Sequence, residues 1–259
     1  MTKLFAKEFA VALAGGLLFS SIATAVADAA EVKVLTSVAL TSALNELAPK
    51  FEQATGNKLE IGYSLIADIR KRILAGETAD VIILSRPVMD ELQKQDKFAS
   101  GSVANIADTP VALAVRVGAP KPDISTVDAL KQTLLAAKSI VYADPAKGGA
   151  SGVYFAKVVD QLGIADQLKS KTILVPGAQA ADLVAKGEAE IGVGQTSEIV
   201  PVAGAQVLGP LPGEFASTTL FTAGIGADTK APEAAKSLIQ FLTGPVAAPV
   251  FSAKGFQPG

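Results

Sequence analysis

The sequence predicts an α/β fold in two lobes, each a mostly parallel sheet flanked by helices. Three observations predict it. Strand-like and helix-like apolar patterns alternate along the chain, as the βα units of a parallel sheet do. The run Val81-Ile82-Ile83-Leu84 is apolar throughout, as a strand covered on both faces must be. A long strand pattern over 109–117 separates two α/β series, as a strand crossing between two lobes would.

The elements follow in order. Val32, Val34 and Leu35 mark a short first strand. Leu40, Ala43, Leu44, Leu47, Ala48 and Phe51 recur at helical spacing, and Gly56 stands where a C-terminal cap belongs. Alternating Leu59, Ile61 and Tyr63 predict a second strand. A helix over 67–75, a third strand over 79–84 and a helix over 88–95 complete the first series, whose crossovers should be right-handed. After the turn at 118–122 the second series has strands over 139–142, 172–175 and 191–194, with helices over 152–162 and 180–185. A strand over 217–227 and helices over 232–242 and 247–251 close the chain, the last two parted by Gly244-Pro245. This assigns 31–112 and 208–259 to one lobe and 113–207 to the other.

The first 30 residues have a different character. Lys3 and Lys7 precede an apolar stretch over 9–26, and small residues follow at Ala25-Val26-Ala27. That order is the mark of a secretory signal peptide. The mature chain is expected to begin between Asp28 and Glu31 and to work in the periplasm. The apolar stretch is interrupted at Gly15-Gly16 and Ser20-Ser21, which favours cleavage over a membrane anchor.

Composition narrows the chemistry. The 259 residues carry a net charge of −2, and no basic run stands out; nucleic acid is therefore not an expected partner. There is no Cys and no His. This removes disulfides, thiol nucleophiles, the usual zinc ligands and the commonest general base. No cofactor, no metal and no catalysis are expected.

In open parallel sheets, ligands bind beyond the carboxyl ends of the strands, where helix N-termini present free N–H groups and the positive end of the helix dipole. The residues found there include Ser37, Ser64 and Arg86 in the first series. The second series contributes Ala150, Ser151, Gly177 and Gln195, with Lys147 and Gln179 as lesser candidates. Ser37 and Ser64 could equally cap helices. Gly148-Gly149, followed by Ala150-Ser151-Gly152, would let a backbone approach a ligand closely. Lys147 precedes these glycines, so the stretch is not a P-loop. Arg86, just past a buried strand, is placed to pair with a carboxylate or oxyanion, although an Arg can also be a solvated surface charge.

Two segments stand out, Val34-Leu35-Thr36-Ser37-Val38-Ala39-Leu40-Thr41 and Leu74-Ala75-Gly76-Glu77-Thr78-Ala79-Asp80-Val81-Ile82-Ile83. Asp144-Pro145 with Gly149-Ala150-Ser151-Gly152, and Phe241-Leu242-Thr243-Gly244-Pro245, join them. They give the chain, over 32–256, a resemblance to the molybdate-type substrate-binding proteins of ABC importers. It implies the type II periplasmic binding fold, and a monomer that closes on a small anion and docks on an inner-membrane permease. The ligand positions depart from the pattern. Ala39 and Leu65 or Ile66 stand where the resemblance implies Ser, Gln195 where it implies Tyr, and Arg86 where it implies an acid. A small organic carboxylate is therefore the expected ligand. Molybdate or tungstate binding is the alternative on the same fold, and an exported hydrolase or lyase is the enzymatic one.

Overall fold

Val32 and Val34 bury along the first strand, β1 (Glu31–Ser37), and the first lobe is built outward from it. The computed structural model describes residues 29–258, so the expected signal peptide falls almost wholly outside the described residues. A single 3-10 turn (Val38–Leu40) leads into α1 (Thr41–Thr55), which buries Leu44, Leu47 and Phe51 and ends at Gly56. Gly56 has φ 78°, the left-handed cap that its position in the sequence predicts. Then come β2 (Lys58–Ser64), α2 (Ile66–Leu74), β3 (Val81–Ser85) and α3 (Arg86–Gln93). β2, β1 and β3 lie side by side and parallel.

β4 (Ala104–Arg116) starts five residues earlier than its apolar run predicts, because Asn105 and Asp108 interrupt the pattern without ending the strand. α4 (Val127–Ala136) was not among the expected elements; Thr126 caps it by accepting the Ala129 N–H at 3.1 Å. The second lobe continues with β5 (Ile140–Ala143), α5 (Ala150–Gln161), α6 (Ala165–Leu168) and β6 (Thr172–Val175). It ends with α7 (Ala180–Lys186), β7 (Ile191–Gln195), α8 (Thr196–Ile199) and β8 (Ala205–Pro210). β5 pairs in parallel with β6 and β7.

The chain returns as β9 (Thr218–Ile225), followed by α9 (Pro232–Leu242), α10 (Ala247–Ala253) and β10 (Gln257–Pro258). β9 is antiparallel to both β3 and the first half of β4. The second half of β4 is antiparallel to β7 and β8. The one strand thus serves both lobes, and the parallel part of each sheet is a set of three strands. A second crossing runs alongside: the Leu211 N–H bonds to Val111 O, and the Val111 N–H to Ser217 O.

Two main cores result. The first draws on 32–107 and 221–256 and holds Phe51, Phe221 and Phe251. The second draws on 111–215 and holds Leu130, Phe155, Leu211 and Phe215. Burying each such side chain contributes about 1.5–3 kcal/mol, enough for each lobe to hold its shape around a cleft.

Candidate ligand-binding cleft

One small space is walled by both lobes. Its first-lobe wall is Ser37 at the end of β1, Val38, and Leu65 with Ile66 at the start of α2. Across from these stand Ala143 at the end of β5, Gly149, Ala150 and Ser151 at the start of α5, and Gly177 with Ala178 after β6. Gln195 and Glu198 complete the wall at the end of β7 and on α8. The enclosed volume is about 10 Å³, room for about one water. A larger hollow of about 640 Å³ beside Ile124, Leu208 and Pro212 belongs to the second lobe alone.

The wall places five of the seven expected residues together. Ser37 does two things at once. Its Oγ accepts the Ala39 N–H at 3.3 Å, capping the turn, and the residue still faces the cavity. Ser151 is 4% exposed and sits on the first turn of α5 beside Ala150. Gly152 makes that placement possible: a Cβ there would lie 1.9 Å from Ala143 O. α5 can therefore press its N-terminus against the end of β5 only if residue 152 has no side chain. The first N–H groups of α2 and α5 have no carbonyl to bond within their own helices. They carry the positive ends of the helix dipoles to the cavity from opposite sides.

Gln195 is buried, and its side chain is largely committed. Nε2 donates to Thr219 Oγ1 at 2.8 Å, and the side-chain oxygen accepts the Glu198 N–H. Glu198 replies by accepting the Gln195 N–H on Oε2 at 3.0 Å, a reciprocal capping box. Glu198 keeps only a partial accessible surface, and it lines the cavity. Burial pushes its carboxyl up to about 7, against the smaller lowering effect of the Gln195 N–H. The sequence reading missed Glu198. Its signal was the spacing of an amide at 195 and a Glu at 198 at the mouth of a helix.

Two expected residues lie outside this wall. Ser64 Oγ donates to Asp68 Oδ2 at 3.3 Å at the surface. Arg86 opens α3, where Nε donates to Asp90 Oδ1 at 2.7 Å and Nη1 to Asn105 Oδ1 at 3.4 Å. Lys147 and Gln179 are also absent from the wall, one on the turn after Asp144, the other capping α7. The lining holds no Lys or Arg, so its donors are neutral hydroxyls, an amide and backbone N–H groups.

Over residues 32–257 the chain matches the family of bacterial extracellular solute-binding proteins. It belongs to that family. Among its relatives are an aconitate isomerase of a Pseudomonas species and a molybdate-binding protein of Azotobacter vinelandii. The first is 34% identical over 254 residues, covering 96% of this chain and 95% of the relative. The second is 29% identical, covering 95% of each. Two solved structures share the two-lobed fold of this solute-binding protein. The periplasmic molybdate-binding protein of A. vinelandii superposes with a TM-score of 0.72 at 20% identity, over 87% of this chain and 98% of that one. The sulfate-binding protein SubI of Mycobacterium tuberculosis H37Rv gives 0.71 at 19%, over 88% and 87%. The extracellular solute-binding family thus joins the cleft geometry to capture of a small molecule outside the cytoplasm.

Proposed function

We propose that this solute-binding protein is a periplasmic receptor that closes on a small organic carboxylate and delivers it unchanged to an inner-membrane ABC permease. The observation that carries the ligand class is the pair Leu65 and Ile66 in the cavity wall. A tetrahedral metal oxyanion in a dry cleft wants a donor for every oxygen. Two apolar side chains leave part of such an ion unpartnered, whereas a carboxylate has a carbon skeleton to lay against them. Ser37, Ser151, Gln195 and the backbone at Ala150 and Gly177 then serve the carboxylate oxygens. The relative named for aconitate, a carboxylate, adds support. Export through the first 30 residues and action as a monomer complete the reading.

The test is a thermal-shift and calorimetry panel of malate, trans-aconitate, cis-aconitate, sulfate and molybdate, since bound ligand stabilises the folded state by mass action. A carboxylate should raise Tm most. Tighter binding of molybdate than of any carboxylate would overturn the ligand class.

A second reading is favoured by the same relative: the cleft isomerises an unsaturated carboxylate. Such chemistry needs a group that takes a proton from one carbon and returns it to another, and Glu198 is the ionisable side chain in the wall. Proton NMR of aconitate with the protein in D2O separates the readings. A receptor returns the compound unlabelled and unisomerised.

A further inference from the structure

Among the described residues, Glu198 is the one ionisable side chain lining the cavity. Its carboxyl has little room. A Cβ on Gly194 would lie 3.1 Å from Glu198 Oε2, so the carboxylate packs directly over the bare backbone of β7. Among the described residues its carboxyl accepts one hydrogen bond, from the Gln195 N–H.

Among the described residues, no cation acts on it. The elements packed most closely on α8 are β4, β7, β8, α7 and the turn at 38–40. Of these, β7, β8 and the turn carry no ionisable side chain, β4 carries Asp108 and Arg116, and α7 carries Asp182 and Lys186. None of the four contributes to the raised pKa of Glu198, which has burial as its first cause. Lys254, next to Gly255 beside α8, is paired with Glu46 at 3.1 Å.

An anion entering the cleft therefore meets a carboxyl with no Lys or Arg in the wall to separate them. Two adjacent negative charges in a narrow, poorly hydrated space repel strongly, and neutral donors offset that only in part. We propose that the cleft binds its anion together with one proton, held on Glu198 or shared between Glu198 and a ligand oxygen. The hydroxyl so formed also supplies a donor that the apolar wall lacks. This inference rests on the reading of the cavity as an anion site, and it holds whichever anion enters.

Calorimetry decides it. Malate, sulfate and molybdate, all ionised above about pH 6, are titrated into the protein in two buffers of different ionisation heat. With the free carboxyl near 7, proton uptake should rise from about 0.1 per site at pH 6 to about 0.9 at pH 8. The apparent Kd should weaken about tenfold over the same range, and in Glu198→Gln it should be flat. Malate binding without proton uptake, or an undiminished pH slope in Glu198→Gln, overturns the proposal and leaves the carboxylate receptor standing. Uptake with sulfate or molybdate but no binding of malate supports the proposal and ends the carboxylate reading. If Glu198→Gln fails to fold, the two-buffer measurement on the wild type is sufficient.

Discussion

Gly148 meets Ala67 across the cleft. A Cβ on Gly148 would lie 2.5 Å from the Cβ of Ala67. Gly148 ends the turn Pro145–Lys147 of the second lobe with φ 77°, and Ala67 is the second residue of α2 in the first. Each is next to a wall residue, Gly149 on one side and Ile66 on the other. This close approach of the two lobes therefore depends on two small residues at the rim.

Ala67→Phe tests that dependence. A ring there holds the lobes apart and leaves both cores intact, because Ala67 is exposed within its own lobe. Ligand affinity should drop at least about tenfold, since only the closed population binds well. Tm without ligand should be unchanged. Calorimetry reads the first, thermal melting the second, and small-angle scattering should show no compaction on adding ligand.

Gly152→Ala should hurt both stability and binding. The added methyl would collide with Ala143 O, so α5 must move off β5. The expected cost is about 1–3 kcal/mol in urea unfolding, as for other overpacked sites. Binding should weaken as well, because Ala150 and Ser151 move with the helix.

Glu198 should give stability an alkaline slope. Its folded pKa, about 7, lies above the ordinary value of 4.5. The folded state therefore holds the proton more tightly than the unfolded chain. The stabilisation is fully present below pH 4.5 and is lost as pH rises through about 7, in total about 3 kcal/mol. Glu198→Gln should flatten the profile between those limits in denaturant titrations. Glu77, held down to about 2 by Arg72 and Lys33, works in the opposite sense. Its contribution is present above pH 4.5 and fades as pH falls toward 2, so the acid limb should remain in the mutant.

Arg86→Ala should leave ligand affinity within about twofold. A guanidinium on a bound anion would be worth about tenfold or more, but Arg86 is engaged by Asp90 and Asn105 outside the cavity wall. The exposed pair should add little stability either. A tenfold loss measured by calorimetry would show that Arg86 swings into the cleft when ligand is present.

The legible parts of the chain were those where local chemistry agrees with the final structure. Gly56 caps α1 because only a left-handed residue ends a helix that way. The apolar run at β3 is buried on both faces, as it reads. α4 and β8 escaped notice for a common reason. Lys131, Gln132 and Thr133 dilute the apolar stripe of α4, and β8 is a half-exposed strand ending in Gly209-Pro210. β8 is held by its pairing with β4 more than by its own pattern. The sequence pattern starts the return crossing at 208, yet Leu211 and Phe215 pack in the second core; nothing local distinguishes one apolar core from another.

The sequence alone determined the α/β class, the two series joined by a long strand, the lack of thiol and imidazole chemistry, and the strand ends where a ligand would lie. These follow from periodicity and composition, which act over a few residues at a time. Only the tertiary structure decided which of those strand ends share a cavity. It brought Ser37, Ala150, Ser151, Gly177 and Gln195 into one wall, left Ser64 and Arg86 outside, and added Glu198. The physical reason is that burial and electrostatic environment are sums over atoms far apart in the chain. Glu198 is an ordinary acid in its own turn, and its carboxyl is pushed up only where packing from distant parts of the chain buries it.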